Sequence, residues 1–273
     1  LRFYLNNPDT FIYVNTDDLF RELAHIHTRL GPGRMIRVGT GEFTDSLALD
    51  AYTGFSDQVI EHVESMPQII FELKTKSDQI GLLSRHPRVL PNLVIGWSLN
   101  PESVVHQQEP GTADLRQRLE AARILMRRGY KLALHFDPIF HYPDWEHDYQ
   151  HLISLVFQYL DPRRIAWISL GIFRFQPDLR QKIFQQTPDN PIIYDEFIQG
   201  IDGKQRLHIS IRYQIYRNMI QWLHRIDPRL FIYLCMESHY LWRELFEHAP
   251  QSMAEVESGF IRRYRSMDEN PAF

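Results

Sequence analysis

Residues 35–46, MIRVGTGEFTDS, decide how the rest of the chain is read. Met35, Ile36 and Val38 read as a buried strand over 35–38, which Gly39-Thr40-Gly41 opens into a turn with the carboxylate of Glu42 at its tip. A parallel strand that ends in a glycine-rich loop is where barrels and doubly wound sheets place their ligands. Glycine admits positive φ and lets backbone approach a ligand closely. Bare backbone beside an acid suits a small ligand that carries an amine. A plain strand-to-helix turn explains the same residues without any ligand.

The rhythm around this stretch is regular. Asn7-Pro8-Asp9 marks a turn, and 11–14 reads as a short extended run. Asp17 is the expected N-cap of a helix through Leu30, with Leu19, Leu23, Ile26 and Leu30 at helical spacing and Gly31-Pro32-Gly33 as its stop. A loop over 45–53 and a helix over 56–65 follow. Strands are predicted over 69–73, 93–97, 131–136 and 165–170, and helices over 78–84, 115–128, 145–159 and 177–185. Asp114 is the expected N-cap of the helix over 115–128, and Gly129 ends it. Strands that alternate with helices and end in polar or Gly/Pro exits argue for parallel βα units. Their even spacing favours a full or partial barrel over an open sheet. Beyond them, 200–206 reads as a polar turn region, 209–226 as a helix, 230–234 as a strand and 240–247 as a helix. The end of the chain reads as polar, with a basic Arg262-Arg263-Tyr264-Arg265.

The totals narrow the function. The chain has 273 residues, 44% of them hydrophobic, a formal net charge of −4 and a pI near 6.4. That is enough for a sizeable core and gives no general pull toward nucleic acid, although a local basic face is compatible with it. One cysteine, Cys235, excludes an internal disulfide and fits a reducing, cytoplasmic setting. No apolar run is long enough to span a bilayer.

In a barrel the strand exits converge at one end. Gly39, Thr40, Gly41 and Glu42, Thr75-Lys76-Ser77, Ser98 with Asn100, and Asp137 would then share one mouth. Together they suit a ligand with an amine, a carboxylate and ribose hydroxyls, although loops are polar for reasons of solvation alone. Other clusters read more blandly. His25 and His27 stand two apart on a helix and do not face each other. His147 and His151 are four apart, but the residues between them do not make the His-Glu-x-x-His pattern. His135, Asp137 and His141 would be the ligands of a metal-dependent hydrolase barrel, which is one alternative. Arg206, Arg212, Arg217, Arg225 and Arg229 with Tyr213, Tyr216 and Trp222 form a basic-aromatic region. That region suits a non-catalytic nucleic-acid-binding fragment, but composition alone favours an amphipathic helix with a charged face.

Taken in order, YLNNPDTFIYVN, IRVGTGEFTDSLALD, LKTKSD, IGWSLNPE, EPGT and RLEAARILMRRGYKLALHFDPIFHYPDWEHDY resemble the spore photoproduct lyase family of radical SAM enzymes. The resemblance is clear over 4–148 and weaker beyond. It implies an α/β fold, a partial (β/α)6 TIM-like barrel of the radical SAM type with a C-terminal α/β extension. The division is 1–190 for the partial barrel, lacking its first strand and cluster loop, and 191–273 for the extension, a region for substrate or nucleic-acid contact. It further implies S-adenosyl-L-methionine bound against a [4Fe–4S] cluster and 5′-deoxyadenosyl radical chemistry, with repair of thymine-dimer-type DNA lesions as the family activity. DNA or a nucleotide would be the substrate, and flavodoxin or ferredoxin the electron donor. By position, Gly39, Thr40, Gly41 and Glu42 resemble the family's strand exit that meets the methionine amine. Lys76 and Ser98 resemble residues that hold the methionine and ribose. Asn100 lies nearby, and Asp137 stands in the adenosine pocket where the lyase proper has a small residue.

Two departures accompany the resemblance. The family's cluster needs a Cys-x-x-x-Cys-x-x-Cys loop, whose three thiolates hold the irons. This chain has none, and the expectation is that Leu1 lies just downstream of that loop, so that the chain alone is incomplete and inactive. The lyase also returns a hydrogen atom from a cysteine, and Phe43 stands at that place.

Overall fold

The computed structural model describes residues 11–41 and 44–269. Along them run α1 (Thr16–Arg29), β1 (Ile36–Gly39), α2 (Asp50–Thr53), α3 (Phe55–Val63), β2 (Ile69–Thr75), α4 (Gly81–Arg85), β3 (Leu93–Ser98), α5 (Glu102–Gln108), α6 (Leu115–Arg128), β4 (Lys131–Ile139) and α7 (Trp145–Tyr159). Then come β5 (Ile165–Ile172), β6 (Arg174–Phe175), α8 (Pro177–Gln186), β7 (Phe197–Gln199), β8 (Gln205–Leu207), α9 (Ile209–Ile226), β9 (Ile232–Leu234), α10 (His239–Leu245) and α11 (Met253–Glu269). Six strands form one parallel sheet in the order β1-β2-β3-β4-β5-β9. This is the α/β half-barrel that the βα rhythm predicts. Among the described residues no helix is long and apolar enough to cross a membrane.

Local chemistry explains several boundaries. The Asp114 side chain accepts from the Gln117 amide N–H at 2.8 Å, the Gln117 side chain accepts from the Asp114 N–H at 2.8 Å, and Gly129 leaves α6 at φ 112°. That is a complete capping box at one end and a left-handed glycine at the other. On the sheet, residues alternate between faces. Phe71, Leu73, Ile95, Leu132, Leu134, Ile168 and Leu170 belong to the main core with the outer helices. The opposite face changes along each strand. Near the strand starts it is apolar, with Ile70, Val94 and Ala133. Two residues on it is polar, with Glu72 and His135.

Helix α11 covers the apolar half of that inner face. Phe260, Tyr264 and Met267 pack with Ile70, Val94, Ala133, Ala166 and Trp167. Phe260 meets the ring of Trp167 edge-on at 5.3 Å, Tyr264 donates to the Pro91 carbonyl at 2.9 Å, and Lys131 Nζ lies 3.7 Å from the Tyr264 ring centre.

The structure corrects several readings. The polar C-terminal tail is this helix, because Val256, Phe260, Tyr264 and Met267 form an apolar stripe that the arginines between them hide. The run 11–14 is not a strand, and its side chains are exposed. Helix α1 starts at Thr16 after Asn15, with Asp17 in its first turn, and it buries Phe20 and Leu23 while Leu19 stays 38% exposed. Strand β4 does not end before Asp137 but runs through the cis Asp137-Pro138 bond to Ile139. The turn region 200–206 is the loop and second strand of a hairpin, β7–β8, which β6 extends to three antiparallel strands. The turn Asn7-Pro8-Asp9 lies outside the described residues.

Phe260 is 1% exposed and joins α11 to the sheet. Phe260→Ala is expected to cost about 3–5 kcal/mol, read as a lower urea midpoint. A midpoint equal to that of the wild type would mean that α11 does not seal the barrel floor.

Candidate functional site

The C-terminal ends of the strands carry the polar mouth. Its first rim is the loop after β1, which is stitched to β2. Thr40 Oγ1 and Ser46 Oγ share a hydrogen bond of 2.7 Å, the Ser46 N–H donates to the Lys74 carbonyl at 2.9 Å, and the Lys74 N–H donates back to Ser46 Oγ at 3.0 Å. Asp45 accepts from the Thr75 hydroxyl at 2.6 Å and from the Lys76 N–H at 2.7 Å. Between these anchors Gly39 and Gly41 are exposed, and Gly41 has φ +100° with nothing within 4 Å of a Cβ placed there. The loop therefore offers bare backbone held from both sides. Glu42 and Phe43 lie outside the described residues.

The second rim is formed by the exits of β2 and β3. The Lys76 ammonium pairs with Glu109, which also accepts from Asn100 Nδ2 at 3.0 Å and from Arg118 Nη2 at 2.7 Å. Ser98 is buried, and its carbonyl accepts from Arg118 Nη1 at 2.9 Å. Asn100 is fully buried, with its Oδ1 accepting from the Tyr149 hydroxyl at 2.8 Å. Burial pushes the Glu109 carboxyl up, but Lys76 and Arg118 outweigh it and hold it at about 2. Burial pushes the Lys76 ammonium down, and Glu109 opposes that only in part.

The third rim is β4 with its neighbours. Asp137 pairs with Arg174 at 3.2 and 3.4 Å, and Arg174 Nη2 also donates to Cys235 Sγ at 3.4 Å. Asp137 sits here because Gly171 opposite has no side chain; a Cβ on it would lie 2.5 Å from Asp137 Cγ. Burial raises the Asp137 carboxyl, but Arg174 and then Lys74 hold it below its ordinary value. Burial, and then Asp137, pushes the Cys235 thiol up to about 12, so it stays protonated.

Below the mouth, Glu72 and His135 face each other at 2.5 Å across Gly96, whose Cβ would lie 2.6 Å from Glu72 Oε1 and 3.0 Å from His135 Nε2. Arg37 donates to Glu72 at 3.0 Å and Trp167 Nε1 at 3.3 Å. Burial raises the Glu72 carboxyl, but His135 and then Arg37 hold it at about 2, while burial keeps His135 below its ordinary 6.5.

Thus Gly39, Thr40, Gly41, Lys76, Ser98, Asn100 and Asp137 all lie at the strand exits of one sheet, as their pattern predicts. Sequence reading missed Glu72, Lys74, Glu109, Arg118 and Arg174. The alternation Ile70-Glu72-Lys74 puts two charges on one strand face, a signal that could have exposed the first two. The hydrolase set does not assemble: His135 is taken by Glu72, Asp137 by Arg174, and His141 by Asp195 at 3.1 Å. Among the described residues no group of three His, Cys, Asp or Glu side chains is placed to hold a metal ion. In the basic-aromatic region, Arg206 pairs with Asp202, Arg212 with Glu237 and Arg229 with Asp227, and the buried Tyr216 donates to Glu237 at 2.9 Å.

Acid should weaken this arrangement in a defined window. Glu72, held at about 2 against an ordinary 4.5, contributes stability that is fully present above 4.5 and is lost as pH falls toward 2. His135, lowered by burial, adds a loss of the same sign as pH falls below 6.5. Glu72→Gln should lower stability at neutral pH by on the order of 2 kcal/mol. It should also flatten the decline between pH 4.5 and 2 without abolishing it, since Glu109 has the same low value. Urea titrations at a series of pH values measure this, and an unchanged slope would remove Glu72 from the account.

A family model described as spore photoproduct lyase matches residues 4–200. The spore photoproduct lyase of Bacillus subtilis is 31% identical over 195 residues, 70% of this chain and 56% of that protein. That of Clostridium acetobutylicum is 24% identical over 200 residues, 71% of this chain and 58% of its own length. The chain thus spans little more than half the length of these relatives. A solved spore photoproduct lyase complexed with dinucleoside spore photoproduct superposes with a TM-score of 0.76 at 22% identity, over 85% of this chain and 73% of the other. A mutant of such a lyase with bound AdoMet and the same dinucleoside gives 0.74 at 21% identity, over the same shares of the two chains. With a family match over residues 4–200, most of its length, this chain belongs to the spore photoproduct lyase family.

Proposed function

We propose that the mouth of the half-barrel binds S-adenosylmethionine and that the protein acts on thymine-dimer-type lesions in DNA; its relatives are named spore photoproduct lyases, and solved ones hold AdoMet and dinucleoside spore photoproduct. The carrying observation is the donor set. Two cations, Lys76 and Arg118, share the single carboxylate of Glu109, and of the three only Lys76 retains exposed side-chain surface. A surplus positive charge at the mouth suits the carboxylate of an amino-acid moiety. The open backbone of Gly39 and Gly41 suits an amine and a ribose approaching closely. Ser98, Asn100 and Asp137 complete the proposed binding set, with Glu42 assigned to the amine by resemblance. The cofactor would supply a hydrogen-abstracting deoxyadenosyl group. The chain's residues would fix its two ends and, through the apolar floor under α11, keep water from entering from below.

The residues present do not fit the iron–sulfur cluster. Three thiolates are required, and the one cysteine of this chain, Cys235, is engaged by Arg174. No step is assigned to the cluster here. We also assign most of the barrel to 1–190, completed by β9 and α11 from the C-terminal part, a substrate-contact role to the rest of 191–273, and a cytoplasmic setting.

The test uses the complete gene product, reconstituted anaerobically with iron and sulfide and given dinucleoside spore photoproduct. Formation of 5′-deoxyadenosine and of repaired dithymidine is expected. A filled cluster with neither product would refute the proposal. Because phenylalanine cannot return a hydrogen atom, Phe43→Cys should raise the share of clean reversal over side products severalfold, measured by chromatography of the dinucleotides.

A further inference from the structure

The block Glu109-Pro110-Gly111-Thr112 belongs to the family resemblance but has no role in it. In the fold it closes on the mouth from behind. Glu109 is 1% exposed, and its two oxygens are divided. Oε1 receives the Lys76 ammonium and Asn100 Nδ2, while Oε2 receives Arg118 at 2.7 Å. Arg118 spends its remaining donors on the Ser98 carbonyl at 2.9 Å, the Ala113 carbonyl at 2.9 Å and the Thr112 hydroxyl at 2.7 Å. One buried ion pair therefore touches all three proposed cofactor residues that leave β2 and β3. Tyr149 ties the same unit to the residue that follows β4, donating to Asn100 Oδ1 at 2.8 Å and accepting from the Phe140 N–H at 3.0 Å.

The charges do not cancel within this unit. Glu109 and Arg118 have 0% side-chain exposure, whereas Lys76 keeps 22%. The surplus positive charge meets a ligand through Lys76 alone. Lys74 stands close enough to add the same sign. Asp45, an acid on the same rim, is spent on the Thr75 hydroxyl and backbone N–H groups.

We propose that Glu109 and Arg118 are positioning residues: they hold Lys76 so that its charge meets the carboxylate of an amino-acid-bearing ligand, and they set Ser98 and Asn100 in register with it. This rests on the reading of the mouth as an adenosyl cofactor site. A buried ion pair is a costly way to stabilise a fold, since a hydrophobic replacement is often as good. Here it performs what an apolar pair could not, which is to fix a cation at an open edge. Glu109 is also the group that raises the Lys76 ammonium against the lowering by burial, Arg118 and Lys74.

Two measurements on the purified chain test this. The first needs no ligand: the pH midpoint of Lys76 acylation, followed by mass spectrometry. Glu109→Gln should move the midpoint down, because the opposing carboxylate is gone. Arg118→Met should move it up, because a competing cation is gone. General loosening would change the plateau rate and not shift the two midpoints in opposite directions. Glu109→Asp, which keeps the charge, should restore most of the midpoint and serves if Arg118→Met does not fold. The second compares S-adenosylhomocysteine with 5′-methylthioadenosine, which lacks the amino-acid end. Glu109→Gln should weaken the first by about tenfold or more and the second by less than about twofold. Equal losses for both ligands, or an unmoved midpoint in Glu109→Gln, would overturn the proposal. If the wild type binds neither ligand, the cofactor reading fails, while the midpoints still decide whether Glu109 governs Lys76.

Discussion

The carboxylate of Glu109, buried and shared between two cations, is the constraint on which the upper half of the barrel depends. An ionised group without water must be fully paired, or it destabilises everything around it. Lys76 comes to it from β2, Asn100 from β3, and Arg118 from α6. The pairing therefore fixes two strand exits relative to the helix that follows. Three elements far apart in sequence cannot move independently without exposing a charge to an apolar interior.

A second buried carboxylate repeats the logic one layer down. Glu72 lies on the inner face of β2 against His135 of β4, with Arg37 from β1 and the Trp167 ring N–H completing its partners. Gly96 lies between them and has no side chain, which is what lets an acid and an imidazole meet across the intervening strand. Gly171 does the same for Asp137. The inner face thus grades from apolar under α11, through a paired acid, to a charged and partly open rim. Of the two ends of this face, the rim is the one that combines charge with access.

The family membership and the chain's departures from it are compatible. The half-barrel is shared with solved members of the family, while the resemblance by position sets Phe43 against a hydrogen-donor cysteine and Asp137 against a small residue. The structure accommodates Asp137 through Arg174 and Gly171, which neutralise the carboxylate and make room for it. The single cysteine lies on the same rim, held protonated by burial and by that acid.

Much of this was legible in the amino-acid order. Apolar runs alternating with amphipathic segments dictate parallel βα units, since each strand must bury both faces and each helix one. Asp114, Gln117 and Gly129 specify α6 almost to the residue, because caps are local interactions. Glycine and polar exits marked the rim for the same reason. Tertiary structure alone decided the rest. That 253–269 is a helix sealing the floor depended on whether Phe260 and Tyr264 found an apolar cavity, and that cavity is made by four separate strands. That Glu109 and Arg118 govern the rim, and that Glu72 meets His135 rather than water, depended on pairings across 9 to 63 residues of chain. No local pattern encodes such pairings, because the energy that selects them comes from shared burial and exists only once the chain has closed on itself.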